Sequence, residues 1–349
     1  MRNLPDVGRL CFFVLDTPPS QGGFLMTMKY AENILELIGN TPLVKVNKIT
    51  EGLKPTILLK LEYLNPGGSS KDRIAIAMIE DAEKKGLLQP GGTIIEPTSG
   101  NTGVGIAMAA AIKGYKVIFT MTDKVSKEKE LILRAYGAEI IRRPADLPHN
   151  HPDDYYHTAE RLAKEIPNAF FPDQYTNPEN PNAHYRTTGP EIWKDTKGKI
   201  THFVVGLGTG GTVTGTGRYL KEQNKQIKII GVDTEGSVYH SRFYKTPDKP
   251  GADKIEGIGH TYIPGNLDLS LVDDIVVVSD KEAFITARKV VRKEGILIGG
   301  SSGATVAAAL KVAKSLTKDD VVVVLLPDSG KSYISKMFND EWMKENNLL

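Results

Sequence analysis

Cysteine occurs once in 349 residues, at Cys11, which excludes an internal disulfide framework and a cysteine-rich metal site. A reducing cytoplasm is the expected setting. Charge of one sign is also lacking. The 44 Lys and Arg stand against 42 Asp and Glu, for a formal net charge of +2. That balance carries no electrostatic footprint for nucleic acid or for a strongly acidic partner. Long apolar runs are missing too, and none approaches the roughly 20 residues needed to span a bilayer. Near the start only Leu10–Leu15 is continuously apolar before Asp16 ends it. This is shorter than the roughly 7–15 residue apolar core of a signal peptide. Residues 1–27 are expected to be a poorly ordered extension, or sequence translated upstream of Met26 or Met28.

What is present is ordinary for a globular chain: 40% hydrophobic and 25% charged residues, in a length that suits two domains or one large α/β domain. From Thr56 onward, β-branched runs such as "TILLKLE", "TIIEP", "KVIFTM", "AEIIRRP", "HFVVGLG", "IKIIGVD", "DIVVVSD" and "VVVVLLPD" read as strands. Helical patterns lie between them, and Gly86, Gly114, Gly137 and Gly295 stand where helices stop. Such alternation predicts an α/β fold with open, twisted, mostly parallel sheets flanked by helices. "TNPENPNAHYRTTGPEIW", rich in Pro and Asn, reads as an interruption and a domain junction.

Ligands of open α/β sheets sit beyond the carboxyl ends of the strands, where helix N-termini converge. Four loops fall there: "NPGGSSKDR", "PTSGNTG", "GLGTGGT" and "IGGSSGA". In the third, Gly206, Gly208 and Gly211 match the dinucleotide fingerprint, with Asp233 ending the next strand. Two threonines among four glycines, however, suit a terminal phosphate dianion better than a passing pyrophosphate. In the second loop, Thr98, Ser99, Asn101 and Thr102 put three hydroxyls and an amide at a helix start. One such residue would cap the helix, so four point to a carboxylate site. The fourth loop is explained nearly as well by an ordinary capped turn.

The first loop delivers Lys71 to a helix N-terminus, where positive charge is unwelcome. An ammonium placed there loses its proton more readily, and a neutral amine can form a Schiff base with a carbonyl. A lysine for an aldehyde and a cradle for a phosphate monoester together describe pyridoxal phosphate. His149, His151 and His157 near Asp153 and Asp154 form no ligand set of recognisable spacing, so no metal is expected.

The ordered motifs "NPGGSSKDR", "EPTSGNTGVGIA", "GLGTGGT" and "GGSSGA" resemble those of fold-type II pyridoxal-phosphate enzymes of the cysteine synthase and cystathionine β-synthase family. The resemblance runs from about Ile34 to the C-terminus. It implies that Lys71 holds the cofactor aldehyde and acts as acid and base, and that Asn101 meets the ring hydroxyl. Gly208, Thr209, Gly210, Gly211 and Thr212 would hold the phosphate, and Ser301 would face the pyridine nitrogen. Thr98, Ser99, Asn101, Thr102 and Gln174 would bind the substrate carboxylate. It also implies a larger phosphate-binding domain from residues 28–64 and 177–349, a smaller one from 65–176, and a cofactor in the cleft between them. A homodimer is expected. A bulky residue at Gly210 or Gly211 is expected to weaken cofactor retention and leave the fold intact.

Within that family, "MIEDAEKKG", "DQYTNPENPNAHYRTT", "IEGIG" and "LLPDSGKSYISKMFNDEWM" look more like cystathionine β-synthase cores, whereas "TTGPEIW" and "YIPGNLDL" look like cysteine synthase. The expectation is β-replacement on serine or an activated serine with homocysteine. Cysteine synthesis from sulfide is the alternative, and an inactive cofactor-fold binding protein is the rival of another class. Tyr185 and the Glu256–Gly259 loop are expected to line the thiol pocket. No segment resembles the haem-binding or paired regulatory regions of animal cystathionine β-synthases, so a haem-free, constitutive core is expected.

Overall fold

The computed structural model describes residues 30–98, 100–123, 125, 127–144, 147 and 151–349. The extension expected over residues 1–27 lies outside them. The chain divides into two units, Met1–Glu32 and Asn33–Leu349, and the second carries every element named below. In chain order its strands are β1 (Leu43–Lys45), β2 (Thr56–Leu61), β3 (Thr93–Pro97), β4 (Lys116–Thr122), β5 (Glu139–Arg143), β6 (Ala169–Phe170), β7 (His202–Gly206), β8 (Lys228–Thr234), β9 (Asp274–Val278) and β10 (Val321–Leu326). The helices are α1 (Lys71–Lys84), α2 (Asn101–Lys113), α3 (Lys127–Ala135), α4 (Tyr155–Glu165), α5 (Glu179–Arg186), α6 (Thr188–Asp195), α7 (Gly211–Gln223), α8 (Tyr239–Tyr244), α9 (Asp280–Glu294), α10 (Gly300–Val312) and α11 (Asp340–Glu345).

Two sheets result, as the strand–helix alternation predicts. The larger runs β1-β2-β10-β7-β8-β9 and the smaller β5-β4-β3-β6. Every pairing is parallel except β1 with β2. Alternate residues of the larger sheet feed opposite cores. Val204, Val322 and Val324 face one apolar cluster, while Phe203, Val205, Val323 and Leu325 face another. A sheet covered on both faces needs apolar residues at every position, which is why its strands read as unbroken runs.

Two parts of the sequence fold differently from expectation. The strands β1 and β6 have three and two residues, too few for a period to show. "TNPENPNAHYRTTGPEIW", read as an interruption, carries two consecutive helices, α5 and α6. Pro181 and Pro190 each sit third in their helix, where a backbone N–H has no acceptor within the helix and a proline costs little. Gly114 and Gly295 end α2 and α9 in the left-handed conformation.

The loops after β2, β3, β7 and β10 leave the sheets at carboxyl ends. Two isolated bridges then gather more chain onto the end of β10. Ser69 pairs with Asp328, bringing in the loop before α1, and Ile298 pairs with Ser329, bringing in the loop before α10.

Candidate active site

Lys71 is the first residue of α1, and its placement follows from the bonds around it. Ser70 donates its N–H to the Pro327 carbonyl at 2.9 Å, and the Lys71 N–H reaches Ser69 Oγ at 3.2 Å. Two residues on, Arg73 is anchored by a buried ion-pair network: its Nε donates to Glu62 at 2.7 Å and its Nη1 to Glu191 at 2.7 Å. Burial lowers the Lys71 ammonium pKa, and the charges of Asp328 and Glu62 partly oppose it. Enclosure thus shifts the amine in the direction expected from the sequence.

Facing Lys71 across a cleft of about 440 Å³ are Thr98, Asn101, Thr102 and Gln174. Thr102 Oγ1 donates to Gln174 Oε1 at 2.6 Å, so the two hold each other. Glu96 on β3 fixes the Gln174 segment from below, accepting the backbone N–H groups of Asp173 and Gln174. Ser99, expected in the same set, lies outside the described residues. Asn101 Nδ2 donates to Asp328 Oδ2, and so does the Tyr333 hydroxyl, at 2.9 and 2.7 Å. Ser301, at the start of α10, is buried and lines the same cleft.

The loop Gly208–Thr212 leads into α7, with Thr209 on the cleft wall. Gly210 has φ +88°, and the backbone N–H groups of Gly208, Thr209 and Gly210 have no acceptor among the described residues. Neighbours brace the loop tightly. Asn180 Nδ2 donates to Thr209 Oγ1 at 3.0 Å, and His184 Nε2 lies 3.1 Å from Thr212 Oγ1. A Cβ on Gly208 would come within 2.4 Å of the Gly257 carbonyl oxygen, and one on Gly211 within 1.8 Å of Asn180 Oδ1. The glycines are therefore demanded by protein packed against protein as well as by any anion.

Tyr185 requires a correction. It stands on α5 away from the cleft, its hydroxyl donating to Glu222 at 2.7 Å and its ring stacked under the Arg218 guanidinium. On that helix it packs against Glu222 and Arg218 of α7 instead. Tyr175, by contrast, lines the cleft beside His260, with ring centroids 5.5 Å apart. Asp328, Tyr333, Lys129 and Lys336 also line it, and sequence reasoning assigned none of them a role. Of these only Asp328 carried a local signal, as an acid directly after a strand in "VVVVLLPD". Among the described residues, no group of three or more His, Cys, Asp or Glu side chains is placed to hold a metal. His149 lies outside them.

These residues fit a phosphate-bearing aldehyde. There is an enclosed amine at Lys71, a row of open N–H groups before a helix, and a buried acceptor, Asp328 Oδ1, without a partner among the described residues. Comparison with known proteins agrees. A family model described as "Pyridoxal-phosphate dependent enzyme" matches residues 34–328. The chain is 49% identical over 323 residues to a cystathionine beta-synthase of Apis mellifera, covering 92% of this chain and 64% of that one. It is 46% identical over 352 residues to a cystathionine beta-synthase of Oryctolagus cuniculus, covering 99% of this chain and 64% of the relative. It thus spans about 64% of the length of these relatives. A solved structure of a hydrogen sulfide-producing enzyme from Fusobacterium nucleatum superposes with a TM-score of 0.81 at 44% identity, covering 87% of this chain and all of that one.

Proposed function

The chain belongs to the pyridoxal-phosphate dependent enzymes, and on that premise we propose that it replaces the β-substituent of serine, or of an activated serine, with the thiol of homocysteine. The observation that carries this reading is the enclosed Lys71 amine facing Thr98, Asn101, Thr102 and Gln174 across one cleft. The names of the relatives support the choice of thiol.

Pyridoxal phosphate, when bound, supplies the electron sink that makes an α-proton removable and a β-substituent able to leave. Lys71 would hold it, with Gly208–Thr212 on its phosphate, Asn101 at its ring hydroxyl and Ser301 at its ring nitrogen. The chain does the rest. Thr98, Asn101, Thr102 and Gln174 bind the donor's carboxylate and orient its Cα–H toward Lys71. The lowered pKa of Lys71 favours the neutral amine, which takes the α-proton at Nζ and returns it to the departing group. Residues 28–64 and 177–349 would form the phosphate-holding half, and 65–176 the half that carries the carboxylate loop. A homodimer in the cytoplasm completes the reading. Among the described residues no helix is long and apolar enough to cross a membrane.

The name of the Fusobacterium protein favours a second reading, in which sulfide is exchanged at the same β-carbon. One assay separates the possibilities. Serine, O-acetylserine and O-phosphoserine are each offered with homocysteine or with sulfide, and the thioether and cysteine products are measured. Thioether from serine and homocysteine is the expected product, lost in Lys71→Ala. Cysteine as the sole product would make the chain a cysteine synthase, and no product from any pair would make it a binding protein.

A further inference from the structure

Two amino-acid substrates bring two carboxylates into one cleft, and the loop at the start of α2 has groups for one of them. Three charged side chains from distant parts of the chain line the same cleft: Lys129 on α3, Glu256 in the segment before β9, and Lys336 between β10 and α11. Lys336 Nζ donates to Glu256 Oε1 at 2.8 Å, and Lys129 Nζ donates to the other oxygen, Oε2. Lys129 Nζ also stands 5.6 Å from the centroid of the Tyr333 ring, whose hydroxyl meets Asp328. The cluster is therefore joined through Tyr333 to the acid that Asn101 touches.

Its chemistry is that of a counterpart to an α-amino acid. Both lysines bind Glu256, so cations and an anion stand side by side at this wall of the cleft. The bond to Glu256 is the one hydrogen bond of Lys336 among the described residues, so two of its three N–H donors remain. The side chains are 19%, 33% and 42% exposed for Lys129, Glu256 and Lys336, which leaves them open to an incoming molecule. Tyr185, expected to face this molecule, lies elsewhere.

We propose that Lys129, Glu256 and Lys336 are the subsite for the amino-acid end of the incoming thiol. The lysines take its α-carboxylate, and Glu256 takes its α-ammonium. This rests on the reading that the acceptor is an amino-acid thiol, and it makes the cluster the source of preference over sulfide, which has neither group.

The test uses the cofactor-loaded full chain at saturating donor, with three acceptors: homocysteine, 4-sulfanylbutanoate (the same skeleton without the ammonium) and sulfide. Lys336→Gln should raise KM for homocysteine and for 4-sulfanylbutanoate by about 5–20-fold, and by at least about 5-fold more than for sulfide. Glu256→Gln should erase the wild-type preference for homocysteine over 4-sulfanylbutanoate. Visible cofactor absorbance reports whether each variant stays folded and loaded. Equal losses with all three acceptors would make the cluster a strap that shapes the cleft, and would overturn the proposal. So would a wild type that takes homocysteine and 4-sulfanylbutanoate equally well. A wild type active with sulfide alone would overturn the acceptor reading and this subsite with it.

Discussion

Asn101 Nδ2 donates to Asp328 Oδ2 at 2.9 Å, tying the first turn of α2 to the end of β10. The other oxygen, Oδ1, is buried with no partner among the described residues, an arrangement that costs about 1–3 kcal/mol until a donor arrives. Burial raises the Asp328 carboxyl above its ordinary range, and whatever charge it keeps acts on Lys71, holding that ammonium's pKa up.

Asp328→Asn removes that charge and leaves only Glu62 to oppose the effect of burial on Lys71. The Lys71 pKa should then fall further, because the lost carboxylate favoured the ammonium. Uptake of pyridoxal phosphate by the cofactor-free chain, followed by visible absorbance, should reach half its maximal rate at a lower pH than in the wild type. An unmoved midpoint would show that Lys71 does not feel Asp328.

Gly210→Ala should cost stability as well as cofactor. Its Cβ would lie 2.4 Å from Leu267 Cα, and the residue holds φ +88°. Left-handed strain alone costs about 1–3 kcal/mol for a residue with a side chain. A lower Tm in the cofactor-free chain, together with faster loss of cofactor on dialysis, is the expected pair of results. Unchanged Tm would restore the expectation that only the anion needs this glycine.

His184 sets part of the acid limit. Burial, with the Arg73 guanidinium nearby, depresses its pKa to about 3, so the native ring is neutral while it bridges Thr188 and Thr212. An unfolded histidine takes up its proton below about pH 6.5, so the unfolded state binds more protons and stability drops as pH falls. The margin of the wild type over His184→Gln should shrink by about 1.5–2 kcal/mol between pH 8 and pH 5. Denaturant unfolding at both pH values measures it; a constant margin would mean that the native ring titrates normally.

Tyr185→Phe should leave stability within about 0.5 kcal/mol, since the hydroxyl it removes bonds only Glu222, at the surface, among the described residues. Turnover with homocysteine and with sulfide should both stay at wild-type values. A selective loss with homocysteine would return Tyr185 to the thiol pocket.

The first four loops named from the sequence are those that meet at the cleft, because each announces itself locally. A lysine after glycines and serines, a surplus of hydroxyls at a helix start, or glycines between strand and helix are patterns within ten residues. The parallel sheets were legible for the same reason, as buried strands need unbroken apolar runs. The helices α5 and α6 are less legible, because proline's penalty depends on position within a helix whose start no local pattern marks.

By itself, then, the sequence determined the α/β architecture and the residue types fit to hold an aldehyde, a phosphate and a carboxylate, since propensity and short-range spacing carry that information. Only the tertiary structure decided which partners those groups keep. Asp328 meets Asn101 across 227 residues, Lys129 meets Glu256 across 127, and the left-handed glycine at 210 packs on Leu267. Such contacts are chosen by how two sheets and their helices close over one cleft, and no local pattern records them.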